Sequence, residues 1–155
     1  GILLYLILLI ELNILNKLIL TFFFVGYIKY APGTIASFLL LLIWYFIPNI
    51  LLLQASILFL ILFSSLYVCN YFSIVSEEKD PGYIVIDEIL GMSISLFMIP
   101  KNIALYFLAF IIFRFFDILK PSIIYNVQDF EKGLDILADD FFAGIFTLII
   151  LFMVI

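Results

Sequence analysis

The sequence predicts an all-α, polytopic integral membrane protein, a single domain over residues 1–155 with about four to six membrane segments. Three observations predict it. Hydrophobic residues make up 67 % of the chain and the mean hydropathy is +1.35, against roughly 45–50 % apolar in a soluble domain. Apolar runs that cross or nearly cross a bilayer alternate with short turn signals. Only 12 % of residues are charged, and five carboxylates gather at Asp87-Glu88, Asp117 and Asp139-Asp140.

The elements follow in order. Residues 2–25 are apolar apart from Glu11, Asn13, Asn16 and Lys17; they read as a span, or as an interfacial helix with Lys17 snorkelling. GYIKYAPGT at 26–34 is a break, with Pro32-Gly33 as turn and Thr34 as N-cap of the next helix. It is either a plain inter-helix turn or, since helix N-termini bind anions, a phosphate cradle of Pro32, Gly33 and Thr34. The run 35–47 closes with Trp44 and Tyr45 at interface level, before Pro48-Asn49. Residues 50–72 form the next span, followed by the polar SEEKDPG at 76–82. Residues 83–99 carry Asp87 and Glu88 near their start and stop at Pro100-Lys101-Asn102. Residues 103–116 run into Arg114, Asp117, Lys120 and Pro121; a polar loop covers 122–138 and the last span 139–155. A local echo links DExxG at 87–91 with DDxxAG at 139–144.

Threading these spans alternately places 26–34, 73–88, 114–138 and the start of the last helix at one end, and 48–49 with 100–102 at the other. Every polar motif falls at the first end, together with Lys29, Lys79, Arg114, Lys120 and Lys132, whereas the second has only Lys101. By the positive-inside rule the motif-bearing end is cytoplasmic, so a multi-pass protein of the bacterial inner (cytoplasmic) membrane is expected. Neither a basic n-region nor a small-residue cleavage site marks a signal peptide.

Composition also excludes. A net charge of −5 argues against nucleic acid. Histidine is absent, which removes phosphohistidine chemistry, His–metal sites and His general bases. The single cysteine, Cys69, lies in an apolar run with no CxxC partner and no arginine six residues on, so it reads as a buried small hydrophobe rather than a phosphatase nucleophile. The DxDx[TV] and DxxDGxxAR patterns are missing too.

What remains is the acidic constellation. A carboxylate within an apolar span costs about 3 kcal/mol or more without a partner. Asp117 lies three residues from both Arg114 and Lys120, on one helix face. Gly91 follows Glu88, and Gly144 follows Asp140, by about a turn, letting a helix or ligand approach closely. Three helix ends can thus aim Asp87, Glu88, Asp117, Asp139 and Asp140 at one point, as metal ligands or as a structural ion network. Five acids against Arg114 and Lys120 leave a surplus of three negative charges, which favours Mg²⁺, with the two cations meeting a phosphate ester. The rival from another class is a cation transporter or channel subunit, whose acids belong near the bilayer midplane. Asp135 reads as N-cap of the last helix or as a sixth carboxylate ligand, the cap being favoured.

These residues resemble a known family. YAPGT at 30–34 with Ser37, DPGYIVIDEILGM at 80–92, FRFFDILKP at 113–121 and GLDILADDFFAG at 133–144 are similar to phosphatidylglycerophosphatase A, over about a third of the chain and in the family's order. The resemblance implies a largely helical, Mg²⁺-dependent membrane phosphatase of phospholipid biosynthesis. It would convert phosphatidylglycerophosphate to phosphatidylglycerol, using Asp87, Glu88, Arg114, Asp117, Lys120, Asp139 and Asp140. Two departures stand out. The family's KPxP reads Lys120-Pro121-Ser122-Ile123 here, and its GGxGIMxDD run has lost two glycines, with Asp135 at one of their positions.

Overall fold

The computed structural model describes residues 2–78, 81–119 and 134–155. Among them every regular element is helical: α1 (Ile2–Leu20), α2 (Pro32–Phe46), α3 (Leu51–Val75), α4 (Ile86–Ser95), α5 (Ile103–Leu119) and α6 (Leu134–Val154), with a 3₁₀ turn at Val25–Tyr27.

The first apolar run stops being helical earlier than its composition suggests. Thr21 turns its hydroxyl back to the Lys17 carbonyl and accepts the Phe24 amide. Phe22, Phe23 and Phe24 then take positive φ of 46°, 53° and 67°, a region L-residues enter only when neighbours hold them there. Gly26 is required at the end of this turn, because a Cβ there would lie 1.8 Å from the Tyr83 carbonyl oxygen.

The N-cap of α2 is Ala31, at φ 45° and with no side-chain cap bond, and Pro32 occupies the first turn. The expected Thr34 cap is therefore displaced. The left-handed residue before the proline starts the helix three residues sooner, and Thr34 sits inside the first turn.

α4 departs furthest from expectation. In place of a span over 83–99 it has ten residues, about 15 Å of helix, half a bilayer core. It is buried on nearly all sides, from Ile86 to Ser95, and Ser93 and Ser95 return their hydroxyls to the Ile89 and Gly91 carbonyls. It is the core around which α2, α3, α5 and α6 pack.

Among the described residues two helices, α3 and α6, are long and apolar enough to cross a membrane, fewer than the four to six segments expected. α2 is apolar but has 15 residues. α3 exposes Leu52, Phe59, Leu60 and Phe63 outward, a face that needs apolar surroundings.

Packing places the turns at two ends, as alternation requires. At one, the Asn49 amide donates to the Ile99 carbonyl at 2.9 Å, Gln54 accepts the Met98 N–H at 2.8 Å, and Lys101 Nζ donates to the Trp44 carbonyl at 2.6 Å. Burial there lowers the Lys101 ammonium below its ordinary pKa. Trp44 is fully buried and belongs to the core, not to an interfacial belt. At the other end the Val85 amide donates to the Leu20 carbonyl at 2.9 Å, tying the end of α1 to the start of α4. Cys69 is buried, as expected.

Candidate functional site

The second end carries the carboxylates. α4 begins with Asp87 and Glu88 in its first turn. α6 begins at Leu134, five residues before the expected span, so Asp139 and Asp140 lie in its second turn. Asp135 therefore stands inside the first turn instead of capping it, and accepts the Ile136 N–H at 3.0 Å. Its charge still suits the helix's positive end.

The echo between DExxG and DDxxAG is a helix crossing. A Cβ on Gly144 would lie 2.5 Å from the Gly91 carbonyl oxygen and 3.1 Å from its Cα. One on Gly91 would lie 2.6 Å from the Asp140 carbonyl oxygen and 2.5 Å from the Phe113 ring. Only glycine at both positions lets α4 and α6 touch backbone to backbone. That contact brings Asp87, Glu88 and Asp140 together, with one carboxylate oxygen from each within 4.8 Å of the others.

Beside them, Asp140 is hydrogen-bonded to Asp117, and Asp117 is ion-paired with Arg114 one turn back on α5. Asp139 is buried, but its carboxylate is not one of the three that converge. Lys120 lies outside the described residues. The first turn of α2 closes the remaining side: a Cβ on Gly33 would lie 2.3 Å from Glu88 Oε1. The anion found at this helix start is thus the Glu88 carboxylate. Pro32 and Thr34 flank that contact without any hydrogen bond from their side chains to the acids among those described.

Three carboxylates in so small a buried space cannot all stay ionised unless a cation offsets them. Glu88 Oε2 and Asp140 Oδ2 are buried without a hydrogen-bond partner among the described residues, and Arg114 Nε likewise. Unused acceptors beside an unused cationic donor suit a hard cation plus an oxyanion. Oxygen-only donors are what Mg²⁺ takes, so the residues fit that ion.

Sequence comparison identifies the lineage. A sequence model of phosphatidylglycerophosphatase A matches residues 18–155.

The chain belongs to the phosphatidylglycerophosphatase A family.

Family membership makes it an enzyme of the phosphatase type. A Haemophilus influenzae protein named phosphatidylglycerophosphatase A is 35 % identical, over 83 % of this chain and 82 % of its own. The Escherichia coli protein of the same name is 32 % identical, over 80 % and 74 %. A Bacteroides thetaiotaomicron protein, provisionally named a phosphatidylinositol-3-phosphatase, is 32 % identical over 90 % and 92 %. No solved structure matches the chain. Reasoning from sequence overlooked Phe113, whose ring fills the space Gly91 leaves open; its place directly before Arg114 was the available signal.

Proposed function

We propose that the chain is a Mg²⁺-dependent lipid phosphomonoesterase that hydrolyses phosphatidylglycerophosphate to phosphatidylglycerol and phosphate. The observation that carries the reading is the convergence of Asp87, Glu88 and Asp140, with orphaned oxygens on two of them, beside the Arg114–Asp117 pair. Asp87, Glu88 and Asp140 would hold the ion, with Asp117 and Asp139 at the margin. Mg²⁺ bound there supplies charge neutralisation for phosphate oxygens and acidifies water.

The protein's own groups do the rest. Arg114 is held by Asp117 through its terminal nitrogen, which leaves Nε to donate to a phosphate oxygen. Lys120, three residues after Asp117 in the sequence, would add a second cation. With no histidine in the chain, the general base is a carboxylate. The lipid character of the substrate is supported by two contiguous apolar hollows of about 330 and 230 Å³ that share Leu62, Leu90 and Phe141. The first reaches Leu137 and Ala138, next to the acidic pair. In this reading the protein is multi-pass in the bacterial inner membrane, its site facing the cytoplasm. Arg114 among the acids weighs against a cation path, since it would repel the transported ion.

The test is phosphate release by purified protein from phosphatidylglycerophosphate and from phosphatidylinositol 3-phosphate, each with and without Mg²⁺. Mg²⁺-dependent release from the first, well above the second, is expected. Release from neither, or release indifferent to Mg²⁺, would sink the proposal.

A further inference from the structure

Away from the acids, Asn16 of α1 is 2 % exposed, and neither its Oδ1 nor its Nδ2 has a hydrogen-bond partner among the described residues. A buried amide left in this state is costly, and its cost is removed when something enters to bond it. Asn16 lines a cavity of about 470 Å³ between the ends of α1 and α3, closed by Tyr83 from the loop before α4. Asn13 accepts the Tyr71 hydroxyl across it, pinning the two helices. Lys17 lines the same cavity and makes no ion pair among the described residues. The nearby acid, Glu78, is engaged by the Tyr83 hydroxyl at 3.3 Å.

We propose that this cavity binds the glycerophosphodiester part of a phospholipid headgroup. An exposed ammonium with no ion pair among the described residues, beside a buried amide with both functions unused there, matches an anion that also carries a hydroxyl. Lys17 meets the diester oxygens, and Asn16 exchanges hydrogen bonds with the glycerol hydroxyl. The backbone links the cavity to the acids: Leu20 lines it, the Leu20 carbonyl accepts the Val85 amide, and Asp87 follows two residues on. The inference rests on the lipid-phosphatase reading of the acid cluster. The diester here and the monoester at the acids belong to one molecule, which is thereby distinguished from a lipid whose single phosphate sits directly on diacylglycerol.

Binding is measured by native mass spectrometry on the full chain in detergent with EDTA, against phosphatidylglycerol and phosphatidylcholine of matched acyl chains. Wild type should hold phosphatidylglycerol about tenfold over phosphatidylcholine, and Asn16→Leu and Lys17→Met should each remove most of that preference. Asn16→Leu deletes an unpartnered polar group, so its lipid-free melting temperature should not fall. Lys17→Met carries the test if it does. In turnover, the kcat/KM ratio for phosphatidylglycerophosphate over phosphatidic acid should drop about tenfold in both variants. Equal retention of the two lipids by wild type, or variants as selective as wild type, would overturn the assignment and leave a water-filled cavity. Wild type that selects phosphatidylglycerol yet hydrolyses no phosphatidylglycerophosphate would keep the cavity and refute the phosphatase reading.

Discussion

Replacing Gly144 by alanine is the sharpest probe of how the acids are brought together. The new Cβ would meet the Gly91 carbonyl oxygen at 2.5 Å and Gly91 Cα at 3.1 Å. Both are backbone atoms of a helix enclosed on all sides, so no side chain can swing away. To regain van der Waals distance, α4 and α6 must part by about 1 Å. Overpacking of this kind costs about 1–3 kcal/mol, and the better helix propensity of alanine returns about 1 kcal/mol of it. The net loss of stability is therefore small, about 0–2 kcal/mol. The catalytic effect is larger, because Asp140 moves relative to Asp87 and Glu88, and a misplacement near 1 Å costs about 10²-fold in rate. The assay is phosphate release at saturating Mg²⁺, read beside a thermal melt. Gly82→Ala is the control, since nothing lies within 4 Å of a Cβ there. A Gly144→Ala protein with wild-type turnover would refute the claim that the backbone contact sets the site's geometry.

Other outcomes follow from the same contacts. Asp87→Asn and Asp140→Asn should each lower turnover by about 10²-fold or more with little change in folding, as removal of a charge at constant volume requires; a near-normal rate for both in excess Mg²⁺ would contradict the ligand assignment. Gly33→Ala should impair turnover while sparing the melting temperature, because its Cβ would displace the tip of Glu88, 2.3 Å away, and not backbone; a melt lowered as far as the rate would point to general disruption instead. Gln54→Leu should destabilise by about 1–3 kcal/mol in denaturant or thermal unfolding, since it strands the Met98 amide, while the folded fraction turns over normally, because that cluster lies at the end remote from the acids.

Much of this was readable in the residues. Apolar composition and turn signals determine a helical chain whose polar motifs share one end, because alternation of spans is a one-dimensional property. The surplus of acids over cations points to a cation site by charge alone. Tertiary structure decided what depends on distance between segments remote in sequence. Ala31, not Thr34, caps α2, since a left-handed residue before proline is a matter of backbone path and not of side-chain preference. α4 is half a span: past Ser95 the chain turns, Met98 takes φ 57°, and its amide is held by Gln54 from α3. Gly33 meets Glu88, and Gly91 meets Gly144, so closely that a Cβ on Gly33 or Gly144 would clash, which no spacing rule reports. Asn16 looked like an interruption in an apolar run; only the tertiary packing of α1 buries it. Local chemistry names the groups a chain has available, whereas the close approach of backbones selects which of them act together.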